Sequence, residues 1–277
     1  VNTDFETLLY AEDDGVATVT LNRPDRHNSF DLRMERELRE LWTALRWHRD
    51  VRVVILTGAG DKAFCTGIDR EESIAQDYLT ADQDPDPIAA GPVTTPFMYN
   101  DPAVFINPKQ NDMWKPVVTA VNGMACGGAF TMLGESDIII AAAHATFFDP
   151  HVTYGMVAGF ESVHLLQKLP LGETLRMALL GANERMSADR AHQLGLVSEV
   201  VPKEALMERA MWIARAIAAA PEYAVQGTVR AVWMAHDLAR REAMAHVSSF
   251  VALGTRFDNI AEGEAAFRAD RTDPRLR

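Results

Sequence analysis

Three runs of β-branched residues limit the possible folds of this chain more than any other feature. Residues 51–60 (VRVVILTGAG), 115–123 (KPVVTAVNG) and 137–142 (DIIIAA) are apolar at consecutive positions, not only at alternate ones. Such a strand needs cover on both faces, which is the mark of a parallel sheet between two layers. Residues 15–24 (GVATVTLNRP) alternate β-branched and small residues and stop at a proline, so a further strand is expected there. A helical pattern follows, with Phe30, Met34, Leu38, Leu41, Trp42 and Leu45 on one face. Ser29 is expected to cap it, and Asp31 suits the positive end of its dipole. Arg33, Arg36 and Arg39, interleaved with Glu35, Glu37 and Glu40, are expected to form its solvated face. Strands separated by helical patterns imply parallel βαβ units and an α/β fold. From Glu161 onward the pattern is mostly helical, including residues 203–220 before Pro221. The expected organisation is an α/β core over residues 1–200 and a helical C-terminal region over 201–277. No internal repeat or low-complexity tract is present.

Charge and cysteine content narrow the partners. The net charge of −12 repels phosphate backbones and anionic membrane surfaces, so neither nucleic acid nor membrane is an expected partner. The longest apolar stretches are too short to span a bilayer. Two cysteines, Cys65 and Cys126, form no spaced framework and fit a reducing compartment. No basic segment followed by an apolar stretch opens the sequence, and a cytoplasmic location is expected. Residues 80–111 are rich in Pro, Asp and Asn and read as a long loop, which in a compact domain is usually functional. The loop is expected to shape a ligand pocket, and its aromatic residues, Phe97, Tyr99 and Phe105, point to a bulky or apolar ligand.

Two glycine turns carry the strongest local signal for chemistry. In residues 62–69 (KAFCTGID) and 122–133 (NGMACGGAFTML) a strand-like run passes through glycine into a helical pattern. Such a turn leaves main-chain N–H groups unpaired at a helix start. Two of them side by side can hold a carbonyl oxygen as it becomes an oxyanion, with Gly127 and Gly128 allowing close approach. Ordinary tight turns would give the same sequence. The short motifs of metalloproteases, thiol redox proteins, α/β hydrolases, P-loop proteins and dinucleotide-binding proteins are absent. The eight histidines lack metal-ligand spacing, so no metal is expected; His236 and His246 read as surface or interface residues.

Six segments then carry a resemblance. LNRPDRHNSF, AFCTGID, KPVVTAVNGMACGGA, SDIIIAA, GLVSEVVP and the closing EGEAAFRADR are similar, in order, to the signatures of the crotonase superfamily, the enoyl-CoA hydratase/isomerase family. The resemblance implies a spiral of ββα units, with a helical C-terminal region that packs homotrimers or dimers of trimers. It implies an acyl-CoA thioester as ligand and no cofactor beyond the coenzyme A of the substrate. By position it places the oxyanion hole at the N–H groups of Ile68 and Gly128. Coenzyme A contacts fall at Arg26, Ile68 and Asp69.

The chain departs from this pattern where the family's two catalytic glutamates belong. By register, those positions hold Thr131 and His151. A hydroxyl is no base at neutral pH, whereas an imidazole can give or take a proton. A two-glutamate hydratase mechanism is therefore not expected. His151 becomes the expected proton-transfer residue, with Asp149 or Glu161 as its partner. If residues 149–151 are extended, Asp149 and His151 share a side. Glu161 either reaches the pocket or complements a helix dipole. Glu135 shares a helix face with Thr131, and Tyr154 is a further possible proton donor. Asp69 and Asp137 read as structural acceptors. Isomerisation, which needs one shuttling base, suits this set better than two-glutamate hydration. Two alternatives stay open. One is carbon–carbon bond hydrolysis of a β-diketone, which some members of the superfamily perform with a histidine near this point. The other is acyl-CoA binding without catalysis.

Overall fold

The structure is a computed structural model that describes residues 4–71, 103–269 and 274–275. Residues 80–102 of the expected loop lie outside the described residues. Six strands form the main sheet: β1 (Leu8–Asp13), β2 (Val16–Leu21), β3 (Val53–Gly58), β5 (Val117–Val121), β7 (Ile138–Ala142) and β10 (Glu199–Val201), in that spatial order. β1 and β2 are an antiparallel hairpin, and every other pairing is parallel. The hairpin turns on Asp14 and Gly15, both at positive φ (45° and 77°), as a two-residue loop between right-twisted strands requires.

The double-sided burial expected of the central strands is present and residue-alternating. Val54, Leu56, Val117, Val121, Ile139 and Ala141 face one core; Val53, Ile55, Val118, Ala120, Ile140 and Ala142 face the other. The first core is covered by helix α1 (Leu32–Trp47) through Met34, Leu38, Leu41, Trp42 and Leu45. The second is covered by a late helix, Leu206–Ala218, through Leu206, Ala210, Ala214 and Ala218. Alanine at every fourth position lets this helix lie close on the sheet. It falls within residues 201–277 yet belongs to the packing of the sheet.

Two local expectations are corrected. Asp31, not Ser29, caps α1: its carboxylate accepts from the Met34 N–H at 2.8 Å, because the helix begins at Leu32. The charged face of α1 is not wholly solvated. Glu35 and Glu37 are buried, and Glu37 accepts from the main-chain N–H groups of Glu6 and Thr7 and from the Thr7 hydroxyl. It thereby holds the chain entering β1.

A second sheet of short strands carries the glycine turns. Its order is β4 (Ala63–Cys65), β6 (Met124–Cys126), β8 (Thr146–Phe148) and β9 (Met186–Ser187). The remaining helices are α2 (Ala103–Ile106), α3 (Ala129–Gly134), α4 (Phe160–Leu166), α5 (Leu171–Leu180), α6 (Ala188–Leu194) and α7 (Leu206–Ala218). They are followed by α8 (Glu222–Asp237), α9 (Arg240–Gly254) and α10 (Phe257–Ala269). Thus the end of the expected loop, around Phe105, is a helical turn. Among the described residues no helix is long and apolar enough to cross a membrane.

Candidate active site

The ends of β4 and β6 bring the two glycine turns into contact. Gly67 follows β4 at φ 81° and Gly127 follows β6 at φ 56°, both in the left-handed region. A methyl group on Gly67 would sit 2.8 Å from the Gly128 nitrogen, so the two main chains touch. A methyl on Gly128 would meet the Phe30 ring at 2.7 Å. Phe30 also fixes the direction of the first turn. Its N–H donates to the Gly67 carbonyl (2.9 Å) and its carbonyl accepts from the Asp69 N–H (2.8 Å). In this parallel bridge Ile68 sits between the bonded groups, so its own N–H points away from Phe30. Neither the Ile68 nor the Gly128 N–H donates to a main-chain acceptor among the described residues.

His151 lies against the second turn. A methyl on Gly127 would be 3.6 Å from the His151 Cε1. The segment is not extended as considered from the sequence. Pro150 leads into a 3-10 turn, His151–Tyr154, and the pairing of Asp149 with His151 arises from that turn. Asp149 Oδ1 accepts from the His151 main-chain N–H at 3.0 Å and from Nδ1 at 2.5 Å. A carboxylate only accepts, so the Nδ1 proton is assigned from this contact and Nε2 is left for other partners. Asp149 is fully buried, and its Oδ2 has no hydrogen-bond partner among the described residues. Glu161, in the first turn of α4 and mostly buried, places Oε1 3.6 Å from His151 Nε2.

Donor atoms of Asp149, His151 and Glu161 lie within 4.8 Å of one another, a set that could also suit a divalent cation. However, two ligands about 2.1 Å from one metal sit roughly 3 Å apart, so an ion bridging Nδ1 and Oδ1 would hold them wider than 2.5 Å. The contact has the dimensions of a direct hydrogen bond.

The other expected residues divide clearly. Thr131, on α3, is buried and donates its hydroxyl to the Gly128 carbonyl at 2.8 Å, bracing the turn. Glu135 faces away from this group: its Oε2 accepts from the N–H groups of Lys109 (2.6 Å) and Gln110 (3.1 Å). Burial raises its pKa to about 7. Asp69 accepts from Arg23 at 2.9 Å, and Asp137 from Lys109, Trp233 and the Val117 N–H. Arg26 is exposed and paired with Glu71 at 2.6 Å. Tyr154 is half exposed, with the Arg70 guanidinium over its ring at 3.7 Å. The sequence reading missed Arg70, because its contact is long-range and follows no periodicity. Cys65 and Cys126 are free and buried, and burial pushes both thiols up to about 12, so neither is a ready nucleophile.

Residues 11–89 and 107–273 match the family model described as enoyl-CoA hydratase/isomerase. The chain belongs to the enoyl-CoA hydratase/isomerase family. Among curated relatives, it is 35% identical to (E)-benzylidenesuccinyl-CoA hydratase of Thauera aromatica over 80% of each chain. It is 31% identical to 1,2-epoxyphenylacetyl-CoA isomerase of Escherichia coli (strain K12) over 97% of each. Among solved structures, an enoyl-CoA hydratase/isomerase from Mycobacterium paratuberculosis superposes with a TM-score of 0.85 at 37% identity, covering 99% of both chains. The crotonase-type α/β fold with its helical C-terminal region is thus the fold of the protein, and the protein is an enzyme of this acyl-CoA family.

Proposed function

We propose that the enzyme moves a proton at the carbon beside an acyl-CoA thioester carbonyl, with His151 as the transferring group and double-bond isomerisation or hydration as the outcome. One observation carries this reading: a histidine held by a buried carboxylate lies against the paired glycine turns. In this reading the Ile68 and Gly128 N–H groups take the thioester oxygen as enolate charge develops. Asp149 fixes the imidazole tautomer and stabilises the imidazolium that forms. Nε2 takes the proton, and Glu161 beside it provides the second acid–base group. Thr131 braces the turn and transfers no proton, since its hydroxyl is engaged by the Gly128 carbonyl. Arg26 and the Ile68–Asp69 segment are assigned to the coenzyme A portion. A single shuttling base suffices for isomerisation; hydration would call on Glu161 as well.

The test is solvent deuterium exchange. Incubating the protein with 2-enoyl- and 3-enoyl-CoA in D2O should place deuterium in recovered thioester. His151→Ala should slow this by about 10²–10⁴-fold while acyl-CoA still binds. Tight binding with no exchange by the wild type would instead favour an acyl-CoA binding protein without catalysis. Carbon–carbon bond hydrolysis is the second reading, favoured by the Asp149–His151 pair, an arrangement that can activate water. Cleavage of a cyclic β-diketone without exchange into enoyl-CoA would select it. Assembly as a homotrimer or dimer of trimers is also proposed, supported by exposed apolar side chains on α5, α9 and α10 such as Leu175, Leu179, Val251, Leu253 and Phe257.

A further inference from the structure

Arg70 is a cation at the edge of the candidate site. It follows Ile68 by two residues, and its guanidinium carbon lies 3.7 Å from the centroid of the Tyr154 ring. Tyr154 ends the 3-10 turn that His151 begins. The stack therefore joins the segment bearing the Ile68 N–H to the segment bearing His151, on the exposed side of both. Among the described residues, the carboxylates next to it in the chain already have a cation. Asp69 pairs with Arg23 at 2.9 Å, and Glu71 pairs with Arg26 at 2.6 Å. Asp149 and Glu161 both face His151. Arg70 has no carboxylate partner among the described residues.

A guanidinium stacked by its face on an aromatic ring keeps its N–H edge in plane and pointing outward. That edge matches a carboxylate with two parallel hydrogen bonds. Stacking also limits the conformations of the arginine before anything binds, so less freedom is lost when it does. The site otherwise presents two carboxylates, Asp149 and Glu161, which would repel an anionic acyl group; a cation near the segment that bears His151 offsets this.

We propose that Arg70, held on Tyr154, recognises a carboxylate carried by the acyl group, so that the preferred ligands are coenzyme A thioesters of dicarboxylic acids. This rests on the site being an acyl-CoA site, and not on which reaction follows. Saturated thioesters test it without turnover. The full chain is titrated calorimetrically with succinyl-CoA, butyryl-CoA and free coenzyme A. The wild type should bind succinyl-CoA about tenfold or more tightly than butyryl-CoA, the scale of a charge-assisted hydrogen bond. Arg70→Gln should weaken succinyl-CoA about tenfold more than butyryl-CoA, and Tyr154→Ala should narrow the preference while Tyr154→Phe keeps it. Equal affinity of the wild type for the two thioesters overturns the proposal. So does an equal loss for all three ligands in Arg70→Gln, which would assign the cation to coenzyme A phosphate. If the wild type binds none of the three, the acyl-CoA reading itself fails, a result distinct from failure of the carboxylate preference.

Discussion

Asp149 is fully buried, and one of its oxygens has no partner among the described residues. A buried carboxylate in that position depends on the group that bonds its other oxygen, here the His151 ring and main-chain N–H. Its removal therefore acts on the imidazole more than on packing. Asp149→Asn keeps the shape but can donate to Nδ1 and so favours the other tautomer. It is expected to lower kcat by about 10²–10⁴-fold with KM little changed, as measured by steady-state kinetics on the substrate that exchanges fastest. A fall in thermal stability with no kinetic change would show a purely structural role. His151 was legible in the sequence because the segment register placed it where a family glutamate belongs. Its bond to Asp149 was not, since it depends on Pro150 leading into a tight turn instead of an extended strand.

The long elements were readable because their burial is written in consecutive residues. β3, β5 and β7 need apolar side chains on both faces, and α1 repeats its core residues at helical spacing. The second sheet was not readable as strands: β4, β6 and β8 have three residues each and β9 has two, too few for any periodicity. The sequence showed only the glycines that end β4 and β6. Glu135 illustrates a connection between elements. As the C-cap residue of α3 it accepts the Lys109 and Gln110 N–H groups, tying the chain after α2 to the helix that follows the second turn. Burial raises its pKa to about 7, from 4.5. The folded state then holds a proton that the unfolded chain has released, so stability present below pH 4.5 is lost as pH rises to about 7. The loss is at most about 3 kcal/mol. Urea titrations across this window should show a slope in the wild type that Glu135→Gln removes. Parallel slopes in the two proteins would sink the assignment.

At the scale of the whole molecule, the C-terminal helices are under-covered. α8 has no fully buried residue, and Val251, Leu253, Phe257 and Phe267 lie exposed on α9 and α10. Apolar surface of this extent calls for a partner, and the proposed one is further copies of the chain. Sedimentation should give the mass of three or six copies at micromolar concentration, and Phe257→Glu with Leu253→Glu should shift it toward the monomer. A wild-type monomer would contradict this assembly. The architecture also bears on how such a protein can change. The proposed oxyanion donors, the Ile68 and Gly128 N–H groups, belong to the main chain, which every residue except proline supplies. The proposed proton-handling set rests instead on side chains, Asp149, His151 and Glu161. Descent with modification can therefore rewrite the acid–base chemistry one codon at a time while the paired amides pass unaltered from one enzyme to the next.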